Sequence, residues 1–335
     1  MTTCPACNST AVVNAGRFSL TADEAAHQFI LKEADPVRHA QLARHIATLW
    51  SNSSCEMVEC NECGLGFANP FVAGDATFYN LAAHADYPTD KWEFSITANA
   101  LAGLNTSEKY GLEIGSGYGN FLKQISPRYF KPSQLLAIEY NQAAGKRLTD
   151  AGFKVEARDV RSDTFREYQG KFSFVFLFQV LEHMDGLESL AERLRLLTTE
   201  QAHIFIAVPN PTCIRFNERN GSLIDAPPNH ISLWTKKSFE RFGKQLGCEL
   251  ANFQIEPMSW IDFLRQDLTY SHMRRAQQHG TLANALRSRR RTKLRRLTEA
   301  AVAFAWAPTR IPCWLRAHRE RQNLGGSIWA HLKKV

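Results

Sequence analysis

Gly111-Leu112-Glu113-Ile114-Gly115-Ser116-Gly117-Tyr118-Gly119-Asn120-Phe121-Leu122 joins an apolar strand to a helix through three alternating glycines. Leu112 and Ile114 have the spacing of buried strand positions, and a helix opening near Asn120 aims its N-terminus at whatever lies above the loop. Glycines there let backbone approach a ligand closely, although the same residues also serve tight strand-to-helix packing alone. Downstream, Leu135-Leu136-Ala137-Ile138-Glu139 is a second buried strand, ending in a carboxylate 20 positions after Gly119. A carboxylate so placed can take both hydroxyls of a ribose.

The glycine pattern is G-x-G-x-G preceded by an acid, Glu113, and it lacks the third glycine of G-x-G-x-x-G, which departs from nicotinamide-dinucleotide sites. From Tyr110 to Pro211 the chain resembles the class I S-adenosylmethionine-dependent methyltransferases, whose first motif is E/D-x-G-x-G-x-G and whose second strand ends in an acid. The resemblance implies an α/β fold with a doubly wound, seven-stranded, mostly parallel Rossmann-like sheet. It also implies a cofactor site for S-adenosylmethionine made of Glu113, Gly115, Gly117, Gly119, Glu139, Tyr140, Phe178 and Gln179. At Arg158-Asp159-Val160 it puts an acid on the adenine amino group and an apolar neighbour against the ring, the alternative for Asp159 being a helix N-cap.

Alternation of strand and helix supports the same architecture independently. Strands fall near residues 110–114, 135–139, 153–156, 172–178, 202–208 and 248–255, with 326–332 as the last, antiparallel one. In such a sheet the ligand lies beyond the carboxyl ends of the strands, where strand order reverses.

After the fourth strand, Phe178-Gln179-Val180-Leu181-Glu182-His183 resembles the V-L-E-H turn of small-molecule and quinone-type methyltransferases. Methyltransferases acting on nucleic-acid bases usually carry an Asn/Asp-Pro-Pro-Tyr-like turn here; in this chain Pro209-Asn210-Pro211 comes one strand later. Beyond the fifth strand, the loop Asp225-Ala226-Pro227-Pro228-Asn229-His230-Ile231-Ser232-Leu233-Trp234 carries a histidine and an aromatic stiffened by two prolines, followed by a helix capped by Thr235 and ended by Gly247. If the acceptor is a hydroxyl, a base must take its proton, and a histidine suits that role. His230 is the candidate base and Glu182 and His183 the candidates for orienting the acceptor; the alternative for His230 is a hydrogen bond to its own loop.

Four of the eight cysteines fall as Cys4-Pro5-Ala6-Cys7 and Cys60-Asn61-Glu62-Cys63, which is ligand spacing rather than a secreted disulfide framework. Two such pairs present four thiolates to a structural Zn2+, with Cys55, His39 and His45 as conceivable substitutes. The intervening residues predict a helical hairpin: a capping box at Thr21-Ala22-Asp23-Glu24 opens a helix with Ala25, Ala26, Phe29 and Ile30 on one side. Asp35-Pro36 opens another, with Val37, Ala40, Ala43, Ile46 and Trp50 inward. A knuckle ending in Cys-Gly-x-x-Phe-x-x-Pro, a tyrosine-rich stretch from Tyr79 to Tyr87, a helix near Trp92 to Leu104 and then the core resembles a bacterial methyltransferase group tied to sugars and surface glycans. Pro-Pro-x-His with a nearby Trp recurs in that group.

The chain has 335 residues, 44% of them hydrophobic, so it can hold one ordinary domain with an appendage and is not disordered. No apolar run reaches the length of a membrane span and the start has no signal pattern, so the expectation is a cytoplasmic protein. Of its net +7, the segment 274–321 alone holds 13 Lys and Arg against 2 Asp and Glu, leaving the remainder net acidic. Within it Leu282, Leu286, Leu294, Leu297, Ala301 and Phe304 recur at helical spacing opposite Arg287, Arg289, Arg291, Lys293, Arg295 and Arg296, until Pro308. This basic amphipathic helix over 282–305 reads as a lid with a solvated face, as a contact with an anionic membrane surface, or as a phosphate contact on nucleic acid.

The expected organisation is therefore a zinc-binding module over 1–80, a methyltransferase core over 81–257, a basic helical insertion over 258–324 and the final core strand over 325–335. The expected activity is methyl transfer to a hydroxyl of a small molecule or of a nucleotide- or lipid-linked sugar. The rivals are an RNA methyltransferase and a non-catalytic binding protein that keeps the fold; intact Gly115, Gly117, Gly119 and Glu139 weigh against the second.

Overall fold

The computed structural model describes residues 2–32, 34–82, 89–219, 223–276, 280–287, 293–317 and 321–335. After the first C-x-x-C turn comes β1 (Val12–Thr21), a strand whose irregular pattern hides it in the sequence. The capping box at Thr21 is formed both ways: the Glu24 amide donates to the Thr21 hydroxyl and the Thr21 amide to the Glu24 carboxylate, opening α1 (Ala22–Phe29). Asp35 accepts from the Arg38 amide and, with Pro36 in the first turn, opens α2 (Pro36–Trp50). Then follow β2 (Ser54–Cys60), β3 (Gly66–Asn69), α3 (Ala76–Ala82) and α4 (Trp92–Leu101).

Two expectations for this region are corrected. The buried face of α2 is His39, Leu42, Ile46 and Trp50, whereas Val37 is 68% exposed. The stripe through 39, 42, 46 and 50 gathers the larger side chains against Leu20, Met57 and Phe78, while a stripe led by Val37 and the alanines buries less apolar surface. The hairpin of α1 and α2 sits between two paired strands, since β1 runs antiparallel to β2 and β2 to β3. Tyr79 belongs to α3 rather than to a linker, and 83–88 lie outside the described residues.

The main sheet begins with β4 (Tyr110–Ile114), α5 (Asn120–Tyr129), β5 (Leu135–Ile138), α6 (Gln142–Asp150), β6 (Lys154–Glu156), β7 (Phe172–Phe178), α7 (Leu187–Leu197) and β8 (Thr198–Pro209). It continues through α8 (Pro211–Arg219), β9 (Ser232–Leu233), α9 (Lys236–Gln245) and β10 (Cys248–Ile255). The insertion supplies α10 (Trp260–Ala276), α11 (Leu282–Arg287), α12 (Lys293–Ala305) and α13 (Ile311–Ala317) before β11 (Ser327–Lys334).

Seven strands pair in the order β10-β11-β8-β7-β4-β5-β6, with β11 antiparallel to both neighbours and the rest of the ladders parallel. The chain starts at β4, moves outward through β5 and β6, then returns to β7 on the other side. Strand order thus reverses between β4 and β7, and a crevice opens there at the carboxyl ends. All seven residues of β7 are buried, as a central parallel strand covered on both faces requires. One face packs phenylalanines, including Phe121, Phe174, Phe176 and Phe205, with Trp329; the other packs Val175, Leu177, Ile204 and Ile206 against α7 and α9.

That second core also takes in Cys4, Cys60, Cys63, Leu65 and Phe67, so the cysteine region is packed onto the main sheet's side of the molecule. A separate four-stranded sheet runs β1-β2-β3-β9, and its last strand comes from the loop after α8: Gly66 pairs with Leu233 and Phe67 with Ser232.

Of the helix expected over 282–305, α11 and α12 are described, and residues 288–292 between them, Arg289 and Arg291 included, lie outside the described residues. Leu286 is buried, but Leu282, Leu297 and Phe304 are exposed, the last at 75%, because the insertion meets the rest of the chain elsewhere. Its anchor is α10, whose Phe263 packs with Phe216 of α8 and with Trp260, Leu324 and Trp314. Fully buried Asp267 receives hydrogen bonds from the Arg310 guanidinium and the Trp314 indole, holding α13 to α10. Among the described residues no helix is long and apolar enough to cross a membrane.

Candidate active site

The glycine loop rises from β4 into the crevice. Gly115, Gly117 and Gly119 all have positive φ, and Gly119 is the N-cap of α5. A Cβ would lie 2.4 Å from Val180 at Gly115 and 2.2 Å from Leu148 at Gly119, so larger residues fail there on backbone conformation and on space alike.

Glu139 follows β5 and is nearly buried. Its carboxylate accepts the Gly117 amide at 2.6 Å and the Asn141 amide at 2.8 Å, which fixes both oxygens beside the glycine loop with lone pairs to spare. Glu113 is also buried, one of its oxygens has no hydrogen-bond partner, and burial raises its pKa well above the usual carboxylate range. An orphaned carboxylate next to a glycine cradle suits a ligand that brings an ammonium group and a ribose, and adenosylmethionine has both.

Other expected cofactor residues are spread around the same rim. Phe178 and Val160 are buried, Tyr140 is 62% exposed, and Gln179 takes a positive φ of 58° while its amide side chain donates to Glu93 and Ser327. Asp159 is not a helix N-cap; Ser162 caps the following 3-10 turn. The Asp159 carboxylate is instead gripped by Arg161, at 2.6 Å from Nη2, and this hydrogen bonding holds its pKa low. Arg161 also reaches Asp185, tying the ends of two strands together.

Across the crevice, Glu182, His183 and His230 each offer a ligand or base atom, all within 4.8 Å of one another. Glu182 and His183 sit in the 3-10 turn after β7, while His230 comes from the loop before β9. The backbone holds them together: the Ile231 amide donates to the Glu182 carbonyl at 2.8 Å and the Ala68 amide to the Ile231 carbonyl at 2.9 Å. His183 Nδ1 is 2.6 Å from the Asn229 carbonyl and 3.0 Å from the Tyr79 hydroxyl. A carbonyl only accepts, so Nδ1 carries a proton, and Nε2 lies 3.8 Å from Glu182.

His230 Nδ1 lies 3.1 Å from Asp225, off the line of a well-formed hydrogen bond and therefore a charge contact. Burial opposes protonation of His230, but Asp225 and then Glu182 outweigh it, and its pKa is raised. Burial likewise pushes Glu182 up to about 7, partly offset by His230 and Lys91, and neither of its carboxylate oxygens has a hydrogen-bond partner among the described residues. The cluster borders the glycine loop through Val180, and the charge of Lys91 acts on both Glu113 and Glu182.

Asp225, Tyr79 and Lys91 were not singled out from the sequence. Asp225 precedes His230 by five residues in one proline-stiffened loop, which was the available signal; nothing local marks Tyr79 or Lys91.

The four thiols of Cys4, Cys7, Cys60 and Cys63 also lie within 4.8 Å of one another, with Cys4–Cys63 and Cys7–Cys60 sulfur pairs at 3.6 Å. Asn8 and Gly64, each just after a second cysteine, both adopt left-handed backbone, so the pairs form matching turns. Hydrogen bonding between Cys4 and Cys63 lowers the pKa of the Cys63 thiol and raises that of Cys4, as expected of two thiols that share a proton. Thr235 donates to the Cys63 carbonyl and Gln245 to that of Ala6, clamping both turns to α9. Cys55, His39 and His45 stand apart: Cys55 faces backbone carbonyls, His39 packs edge-on to His27, and His45 meets Asp75 at 2.7 Å.

Residues 93–252 match the model of a family described as a methyltransferase domain. No curated protein matches by sequence. Among solved structures, an S-adenosylmethionine-dependent methyltransferase from Archaeoglobus fulgidus is similar at 15% identity and a TM-score of 0.44, over 72% of this chain and 94% of that one. Geranyl diphosphate C-methyltransferase from Streptomyces coelicolor is similar at 11% identity and a TM-score of 0.43, over 72% and 80%. The family match spans the strands that carry both acids and the glycine loop, and residues 93–252 are accordingly a class I S-adenosylmethionine-dependent methyltransferase domain.

Proposed function

We propose that this methyltransferase acts on a hydroxyl of a small molecule or of a nucleotide- or lipid-linked sugar. The observation that carries the reading is the buried Glu182–His183–His230 cluster across the crevice from the glycine loop, backed by Asp225. A base of this kind serves an acceptor that must lose a proton, and the Pro-Pro-x-His loop and cysteine turns resemble those of the bacterial methyltransferase group tied to sugars and surface glycans.

Adenosylmethionine, when bound, would supply a methyl group already activated by its sulfonium. The protein's part is alignment, proton removal and exclusion of water. Glu139 would hold the ribose hydroxyls, Glu113 the cationic end, and Asp159 and Val160 the adenine. His230 takes the acceptor proton, and the carboxylates of Asp225 and Glu182 stabilise the imidazolium that results. His183, its tautomer set by the Asn229 carbonyl, orients the acceptor with Glu182.

The cysteine turns take Zn2+ as a structural ion, since four thiolates leave it no open position. Exposed Leu297, Phe304, Ile311 and Leu315 in a strongly basic segment support peripheral docking on an anionic membrane, where lipid-linked acceptors would be met.

The test is transfer of labelled methyl from adenosylmethionine into host extract separated into lipid-linked glycan, nucleotide-sugar, RNA and protein fractions. Label in either sugar fraction supports the reading; label confined to RNA or protein overturns it. His230→Ala is expected to lower transfer at least about tenfold, the lower range of acid–base assistance, without loss of adenosylmethionine affinity.

A further inference from the structure

We propose that Glu182, His183 and His230 form a binding site for one divalent first-row transition cation, with Asp225 and the Asn229 carbonyl as the groups that orient the two imidazoles. The inference deepens the acceptor-pocket reading above and rests on it. Three separate observations lead to it.

The first is convergence: one atom from each of the three side chains falls within 4.8 Å of the others, close to the span that a single ion bridges with ligand bonds of roughly 2.0–2.2 Å. Because they come from two elements tied by the Ile231–Glu182 backbone hydrogen bond, the arrangement is held by structure and does not depend on a loose loop. The second is the state of Glu182. It is 1% exposed, and neither carboxylate oxygen has a hydrogen-bond partner among the described residues. A carboxylate in that position needs a positive charge close by, and an ion would satisfy both oxygens at once.

The third is the orientation of the rings. His183 Nδ1 donates to the Asn229 carbonyl, and His230 Nδ1 faces Asp225 at 3.1 Å. Each contact favours a proton on Nδ1, the arrangement in which metal-bound histidines are commonly held by a carbonyl or carboxylate behind them. Two imidazoles and one carboxylate suit zinc, manganese or iron(II) better than magnesium or calcium, which prefer oxygen throughout.

Three protein ligands leave open positions, and an acceptor hydroxyl occupying one of them ionises more readily beside the cation, its proton passing to solvent water. His230 is then a ligand, and the free-base role given to it above belongs to the cation-free enzyme. Acceptors with two adjacent hydroxyls, as sugars and catechols have, are the class that gains most, because both oxygens can reach the same ion.

Purified full-length protein, with its thiolate-bound zinc quantified, is titrated with Mn2+ and free Mn2+ is read by electron paramagnetic resonance. Thiolate sites favour softer ions, so manganese reports on this site and not on the cysteine turns. The expected result is one Mn2+ per chain, with affinity reduced at least tenfold in Glu182→Gln and His230→Asn and about ten- to a hundredfold in Asp225→Asn. Circular dichroism and adenosylmethionine affinity, unchanged in these variants, certify the fold; should one variant fail to fold, the remaining two are read.

Equal Mn2+ affinity in wild type and folded variants, or no stoichiometric binding by wild-type protein that binds adenosylmethionine, overturns the site. Glu182-dependent Mn2+ binding in a protein that methylates no hydroxyl supports the cation site and removes the acceptor reading instead.

Discussion

Glu139 shows how much one side chain is asked to do. Its two oxygens already hold the Gly117 and Asn141 amides, so the residue shapes the loop before any ligand arrives. Hydrogen bonds to a charged group are worth roughly 1.5–3 kcal/mol each, and Glu139→Ala is expected to weaken adenosylmethionine binding by about ten- to a hundredfold. Glu139→Gln keeps one acceptor and loses less. Calorimetric titration of the two variants checks this, and equal affinity in Glu139→Ala and wild type would remove Glu139 from the ribose. This residue was legible in the sequence because strand, acid and glycine loop are fixed by local chemistry. Asp225 was not, since its meaning comes from His230 standing 3.1 Å away, and contact geometry within a loop leaves no periodic trace.

Among elements, the pairing of β8 with β11 half-buries two histidines against each other, His203 Nδ1 and His331 Nε2 being 2.8 Å apart beside Phe205. Burial lowers both pKa values, that of His331 to about 4 with help from His203 and Lys333. The unfolded chain titrates near 6.5, so it binds protons first on acidification. This contribution to stability is therefore full above pH 6.5 and is lost as pH falls toward about 4. After allowance for partial exposure it amounts to roughly 1–2 kcal/mol. Replacing both histidines by phenylalanine should flatten the loss. Chemical denaturation of both proteins from pH 7 to 4.5 measures the difference, and parallel curves would refute the account.

The same scale shows what the sequence discloses about elements. β4, β5, β7 and β8 are apolar runs buried on both faces, and such runs announce themselves. β1, interrupted by Asn14, Gly16 and Arg17, and two-residue β9 exist because partners wait for them elsewhere in the chain. The face of α2 is legible at Ile46 and Trp50 but not at His39, Leu42 and exposed Val37 for a related reason: neighbouring stripes of alanine and larger residues differ little in pattern, and what they pack against decides.

For the whole molecule, the cysteine turns lie at the meeting of β2, β3 and α9 and contribute to the core under the main sheet. The zinc proposed for these turns would supply several kcal/mol of folding free energy, and Cys60→Ser is then expected to lose the metal and to lower the thermal midpoint by about 10 °C or more. Metal analysis with a thermal melt tests both parts; retention of zinc and of the midpoint would exclude the four-thiolate site. The insertion answers to a different measurement. Flotation with liposomes containing anionic lipid is expected to carry the protein upward, less so at high salt, and indifference to anionic lipid would leave the exposed leucines of α12 and α13 without a membrane role.

The strand that the acceptor loop lends to the N-terminal sheet makes the two parts unexchangeable. Phe67 pairs with Ser232, two residues from His230, and Ala68 bonds the intervening Ile231, which in turn bonds Glu182. A chimera joining this core to another N-terminal segment would have to reproduce that edge, residue for residue, or leave the acceptor histidine unsupported while the cofactor loop stayed intact. Under the role proposed for His230, such a hybrid is expected to bind its methyl donor and to transfer poorly, because the N-terminal sheet and the loop that carries His230 share one edge.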